Sequence, residues 1–421
     1  MLRLNCPAQN YDWGKKGDTS LVAKLHNLGS GNPVDEAKPY AELWCGTHPS
    51  GPSTLADGGD MKLKDWIVSN PEAIGKVVHD RWGAELPYLF KVLSVATALS
   101  IQAHPHKALA EQLHAERPNV YKDDNHKPEM AVALSEFEAL SAFVTLAELV
   151  EALNTVPELK AAVGEEASAA VIAAHSSGAD AKGPFKEAFT KLMTCSPDVV
   201  SNSISTLVAR LKSSATDLTA KEKLIIRLDE QYPADVGVLS AYFLNYIVLA
   251  PGEAVYMAAN EPHAYLAGEC AEVMATSDNV VRAGLTPKLR DTAILCDMLT
   301  YKLGKPEILT GTPTAPHTQH YSPPFDEFEM DIVTAPAGVS CTVPAGPGPS
   351  LLLMVEGSST STAKAPEGTA WSETQGVSNN KPVSFKAGDV FFLPAGASVD
   401  VQAAEAGAKI IRSSCASKIF A

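Results

Sequence analysis

APGEAVYMAANEPHAY (250–265) and KAGDVFFLPAGASVDV (386–401) repeat one design. Each has a glycine followed by an acid, Gly252–Glu253 and Gly388–Asp389. An apolar run, a turn holding Pro or Gly, and a second strand-like run follow. A strand–turn–strand unit of this kind builds small jelly-roll barrels, so two barrels are expected. They differ in chemistry. The first repeat carries His263, whereas the last histidine of the chain is His320, so the second has none. Any histidine-based metal site therefore belongs to the first barrel, and the second is structural.

Outward from the first repeat, LPYLFKVLSVATALSIQAH (86–104) and EMAVALSEFEALSAF (129–143) read as strands facing a packed interior. Between about 144 and 232 the texture changes. LAELVEALNTV, VSNSISTLVARLK and LTAKEKLIIRLDEQY place apolar residues at helical spacing, and Pro233 follows. Strand texture then resumes and continues in EFEMDIVTA, LLLMVEG, SVDVQAA and AKIIRSS. Residues 1–60 read as loops and short strands with one short helix, and Leu63–Val78 as a surface helix. The fold expected is mainly β with an all-α insertion. Residues 1–143 together with 233–303 form a metal-binding barrel, 144–232 a helical domain, and 304–421 a C-terminal barrel without metal ligands. The first twenty or so residues are candidates to pack on that C-terminal barrel.

Composition narrows the function. With 421 residues, 45% apolar and 20% charged, the chain has material for more than one core. A formal net charge of -15 without a Lys/Arg run argues against nucleic acid as a partner. It leaves room for a phosphorylated small molecule held by a few local cations. Seven scattered cysteines, an odd number with no C-x-x-C pair, read as reduced thiols, so the location expected is cytoplasmic. No stretch approaches the ~18 uncharged apolar residues of a membrane span, and no signal peptide is expected from MLRLNCPAQNYDWG.

Gln102 and His104 lie two apart in SIQAH, so on a strand they share a face with Ser100. In HKPE, Pro128 biases Lys127 toward an extended backbone, which puts Lys127 and Glu129 on one face. His263 follows the turn in ANEPHAY. Two imidazoles, a carboxylate and an amide oxygen make a four-ligand set for one zinc, iron or manganese ion rather than calcium. His26, His79, His114, His175, His317 and His320 have no such company and read as ordinary core or surface residues.

At these residues the chain resembles the type I phosphomannose isomerases, a family of the cupin superfamily. The resemblance runs through YDWG (11–14), AELWCGTHPSGPS (41–53), LPYLFKVLS (86–94), SIQAHPHK (100–107), DDNHKPEMAVAL (123–134), NEPHAY (260–265) and SDNVVRAGLTPK (277–288). It implies two cupin barrels and the reversible interconversion of mannose 6-phosphate and fructose 6-phosphate. It also implies one Zn2+ per chain on Gln102, His104, Glu129 and His263, a monomer, and a role in feeding mannose into GDP-mannose synthesis or glycolysis.

Such a reaction moves a proton between C1 and C2 through an enediol(ate), which needs a base and positive charge beside the developing oxyanion. Arg282 in NVVRAG is the expected oxyanion partner; a surface ion pair is its competing reading. Glu272 and Lys127 are rival bases, with His126 a possible aid to ring opening. Lys91 interrupts an apolar strand, where an inward lysine is costly without an anionic partner. It joins Ser100 and Lys288 as a candidate for the phosphate, although Lys288 also reads as merely exposed. Trp13, Trp44 and His48 are expected to shape the fold. Two other functions fit parts of the pattern. His104, Glu129 and His263 alone match an Fe(II) cupin oxygenase, and a non-catalytic sugar-binding cupin needs no base at all.

Overall fold

The computed structural model of the chain describes residues 1–374 and 376–421. Two antiparallel sheet systems dominate, one of 11 strands and one of 10. The strand Tyr88–Val95 shows how they meet. It pairs with Glu42–Cys45 on one edge and His263–Ala275 on the other, and it is buried along its whole length. Alternation sends Tyr88, Phe90 and Val92 to one face, where they pack with Leu352, Met354 and Phe392 of the C-terminal sheet. Leu93 and Val95 face the other way, into the first barrel with Ala131, Val255 and Tyr265. Lys91 shares this inner face, so the lysine inside an apolar strand points into the barrel.

The 13-residue strand His263–Ala275 serves both halves of the first barrel. Its first part pairs with Phe137–Phe143 and Ile101–Ala103, and its second with Tyr88–Val95 and Glu129–Ala133. The change of partners falls at Gly268, whose φ is 104°. A Cβ there would lie 2.2 Å from the Glu136 carbonyl, so no side chain fits this crossing.

The two repeated stretches fold into matching turns. Glu253 N–H bonds to the Ala250 carbonyl and the Glu253 carboxylate accepts from Ala250 N–H. Asp389 does the same with Lys386. Gly252 and Gly388 sit at the third position of each turn with φ of 90° and 88°. The strands that follow, Ala254–Met257 and Val390–Leu393, lie in different sheets. At the N-terminus, Leu2–Asn5 pairs with Val390–Leu393 of the C-terminal sheet, and Thr54–Leu55 pairs with Leu2–Asn5. Ile308–Leu309 pairs with Ala254–Met257 in the first sheet.

Six helices, from Leu146–Thr155 to Ala220–Gln231, fill the insertion. Its first and last helices begin with capping boxes, Thr145 with Glu148 and Thr219 with Glu222. Two local expectations change. The helix expected over Leu63–Val78 is broken into Leu63–Ser69, a 3-10 turn at Pro71–Ile74 and Lys76–Trp82. Pro71 cannot continue the hydrogen-bond ladder, and Gly75 takes a φ of 77°. SVDVQAA and AKIIRSS are one strand, Ser398–Ser414, because Gly407, with φ 75°, absorbs a bulge instead of closing a turn.

Phe143, at the end of its strand, joins barrel to insertion. Its ring stacks on Tyr301 at 5.2 Å and meets Phe185 and Phe189 edge-on at 5.0 and 5.3 Å. Phe143→Ala should cost about 3–5 kcal/mol of stability. A lowered denaturation midpoint, with early proteolysis between 144 and 232, is the expected result.

Candidate metal centre

Three strands and one loop bring the site together. Glu129 opens the strand Glu129–Ala133, and His263 opens His263–Ala275. His104 follows Ile101–Ala103 directly. One ligand atom from each of His104, Glu129 and His263 lies within 4.8 Å of the others, and all three side chains are buried. His263 Nε2 is 3.1 Å and His104 Nε2 3.4 Å from the same oxygen, Glu129 Oε2.

The proton inventory decides what this cluster is. His104 Nδ1 donates to the Asn279 carbonyl at 2.6 Å, and His263 Nδ1 to the Glu261 carbonyl at 3.1 Å. Each ring therefore turns its Nε2 inward, the atom left to meet a ligand. Burial pulls the His104 imidazole down to about 4, so it is neutral at pH 7. Glu129 is also buried, which alone would raise its pKa, but the Lys127 ammonium holds the carboxyl well below the usual range. His104 Nε2, His263 Nε2 and Glu129 Oε2 are buried with no hydrogen-bond partner among the described residues. Such an arrangement is costly unless a cation occupies it. The ligands suit zinc.

Gln102 stands beside this cluster. Its Cα partners across the sheet are His263 on one side and Arg282 on the other, so the three side chains share a sheet face. Ser100 Oγ lies 3.5 Å from Gln102 Oε1. Arg282 is half-buried, and no charged partner among the described residues offsets the burial that lowers its pKa. The surface ion pair that competed for Arg282 is not formed.

The candidate bases lie nearby. Lys127 Nζ is 3.3 Å from Glu129 Oε1. Glu272 pairs with Lys91 across the strands, and Lys91 Nζ lies 3.1 Å from Glu272 and 3.4 Å from Glu42. Burial raises the Glu272 pKa despite the Lys91 charge. Burial alone would lower Lys91, but Glu272 and Glu42 more than reverse it. Lys91 is therefore a fixed cation inside the barrel. Lys288 lies apart, exposed on the loop after Val281–Gly284, beside Thr286. His126 faces away from the cluster and bonds Glu327 at 2.6 Å.

Several residues here were not expected. Glu42 accepts from Trp44 Nε1 and flanks Lys91. Its signal was a charge inside ELWC, a strand buried throughout. The Tyr265 hydroxyl is buried without a hydrogen-bond partner among the described residues, two residues after His263 and so on its face. His48 and Asp278, 3.5 Å apart, close one side next to Trp44. Asn279 carried no local sign of its backbone bond to His104.

Equilibrium dialysis of metal-stripped chain should recover one zinc per chain. Glu129→Gln, which removes the only carboxylate among the three clustered ligands, should weaken that binding by at least ~10-fold, measured by chelator competition.

The family description "Phosphomannose isomerase type I, catalytic domain" matches residues 1–146, and "Phosphomannose isomerase type I, helical insertion domain" matches 162–244. Mannose-6-phosphate isomerase 2 of Arabidopsis thaliana is 46% identical over 99% of this chain and 94% of its own. Mannose-6-phosphate isomerase of Homo sapiens is 40% identical over 98% and 97%. A zinc-bound crystal structure of mannose 6-phosphate isomerase superposes with a TM-score of 0.80 at 30% identity, covering 99% of both chains. Matched in sequence along nearly its full length and in three dimensions, this chain belongs to the type I phosphomannose isomerase family.

Proposed function

We propose that this chain is a zinc-dependent aldose–ketose isomerase that interconverts mannose 6-phosphate and fructose 6-phosphate. The observation that carries the reading is the set of three buried, inward ligand atoms on His104, Glu129 and His263, without hydrogen-bond partners among the described residues, next to Arg282 and the Lys91–Glu272 pair. Family membership gives that set its reaction. His104, Glu129 and His263, with Gln102 as fourth ligand, would hold a zinc ion, which would supply Lewis-acid polarisation of a sugar oxygen there.

The chain's own groups do the rest. Arg282, always charged and free of a carboxylate partner, faces the negative charge that develops on the enediolate. Glu272, with its pKa raised by burial, suits proton transfer between C1 and C2. Lys127, against Glu129, is the alternative base. Lys91, Ser100 and Lys288 are the groups offered to the phosphate. Lys91 would be shared between that anion and Glu272. Catalysis is assigned to residues 1–143 with 233–303, with 144–232 as the helical domain and 304–421 as the barrel without ligands.

The Fe(II) oxygenase reading rested on three ligands alone, and the non-catalytic reading on a site without a base. Neither has support in the relatives. Among the described residues no helix is long and apolar enough to cross a membrane. A cytoplasmic monomer that supplies mannose 6-phosphate for GDP-mannose and glycan synthesis, or passes mannose to glycolysis, is the setting proposed.

Arg282→Ala should lower kcat about 100-fold or more while zinc content, measured on the same sample, stays near the parent's. An unchanged kcat removes Arg282 from the reaction. The base is named by exchange of the C2 hydrogen with solvent deuterium. Glu272→Gln should stop exchange while Lys127→Met only slows it. The reverse pattern assigns the base to Lys127.

A further inference from the structure

We infer that Asp123 is a positioning residue of the metal centre, acting on His104 through Asn279 and on Glu129 through the chain that joins them. The inference rests on the metal-site reading above and extends it to a residue outside the pocket. The side chain of Asp123 touches neither the ligands nor the bases. Its carboxylate instead collects hydrogen bonds from Ser277 Oγ at 2.7 Å, Asp278 N–H at 2.7 Å, Asn279 Nδ2 at 3.1 Å and its own loop's Asn125 N–H at 3.0 Å. The Asp123 backbone carbonyl accepts from Asn279 Nδ2 at 2.6 Å. Two segments more than 150 residues apart in sequence are thereby locked side by side. Asn125 strengthens the lock, since its Nδ2 donates to the Thr276 carbonyl at 3.0 Å and its own carbonyl accepts from Asn279 Nδ2 at 3.0 Å.

Each segment ends on the metal centre. Asn279 is buried, and its carbonyl receives His104 Nδ1–H at 2.6 Å. That bond sets both the tautomer and the rotation of the ring, and so the direction of the Nε2 lone pair. On the other side, the locked segment runs through Lys127 and Pro128 to Glu129, and Ala275 N–H closes on the Pro128 carbonyl at 3.1 Å. One carboxylate thus fixes the aim of an imidazole ligand and the approach of the carboxylate ligand. An amide cannot replace it. Four donors converge on the two oxygens of Asp123, and an asparagine would turn an NH2 toward at least one of them.

A fastener that only stiffens the loop would lower stability and leave metal affinity alone, and the test uses this difference. Zinc affinity of the full chain is measured by chelator competition, alongside the melting temperature of the metal-free chain and kcat at limiting and saturating zinc. Asp123→Asn should weaken zinc binding about 10–100-fold, with turnover partly recovered at saturating zinc. Asn279→Ala should act in the same direction. The double variant should be less impaired than the product of the two single effects. Ser277→Ala, which removes one donor and no charge, gives a milder version that does not depend on Asp123→Asn folding. Asp124→Asn, at an exposed acid paired with Lys107 at 3.4 Å, is the control and should bind zinc like the parent. Unchanged zinc affinity in both Asp123→Asn and Ser277→Ala, whatever their melting temperatures, overturns this inference alone. A parent chain that binds no zinc overturns the metal-site reading, and this inference with it.

Discussion

Two imidazoles and a carboxylate are held buried, with one ligand atom of each facing the others. His104 and His263 have both given their Nδ1 hydrogens to backbone carbonyls, and Glu129 turns one oxygen toward both rings. In water this would cost little. Inside a barrel, where solvent cannot reach the three atoms, it is unfavourable until a cation arrives. The surrounding structure keeps these groups buried and aimed.

Charge around the cluster is balanced locally. Glu42, Glu272 and Glu129 are buried in the barrel, and Lys91 and Lys127 lie among them. Neither lysine is a surface charge that strayed inward. Strand alternation commits Lys91 to the interior because the other face of Tyr88–Val95 packs against the second barrel. Its ion pairs with Glu42 and Glu272 offset the desolvation that such a position imposes. The second barrel therefore matters to the chemistry without contributing a ligand. By covering the outer face of this strand it fixes which face turns inward, and burial inside the first barrel is what raises the Glu272 pKa.

The same turn serves both barrels. Gly252 and Gly388 take equivalent left-handed conformations, and each following acid closes back on the residue three before it. The barrels diverge in what comes after. The first continues into His263, which is placed by a strand long enough to pair with four others. The second continues into Ser398–Ser414, whose buried residues are mostly aliphatic.

The sequence alone determined what periodicity and residue chemistry can encode. The two repeats, the helical texture of 144–232, the i, i+2 pairs Gln102/His104 and Lys127/Glu129, and the misplaced Lys91 are all local signals. Each follows from a period of two or of 3.6 and from the cost of a charge in an apolar run. The family motifs then joined them into one reaction. Only the tertiary structure decided the contacts that no local pattern records. Asn279 turns its carbonyl to His104, Asp123 holds Asn279, Glu42 flanks Lys91, and Tyr265 brings an unpaired hydroxyl. These depend on backbone carbonyls and on residues tens to hundreds of positions apart, so the partners cannot be matched until the chain has folded. Even Lys91, legible as an anomaly, acquired its partners only there. Alternation said it points inward, and the barrel supplied the two carboxylates that make an inward lysine stable.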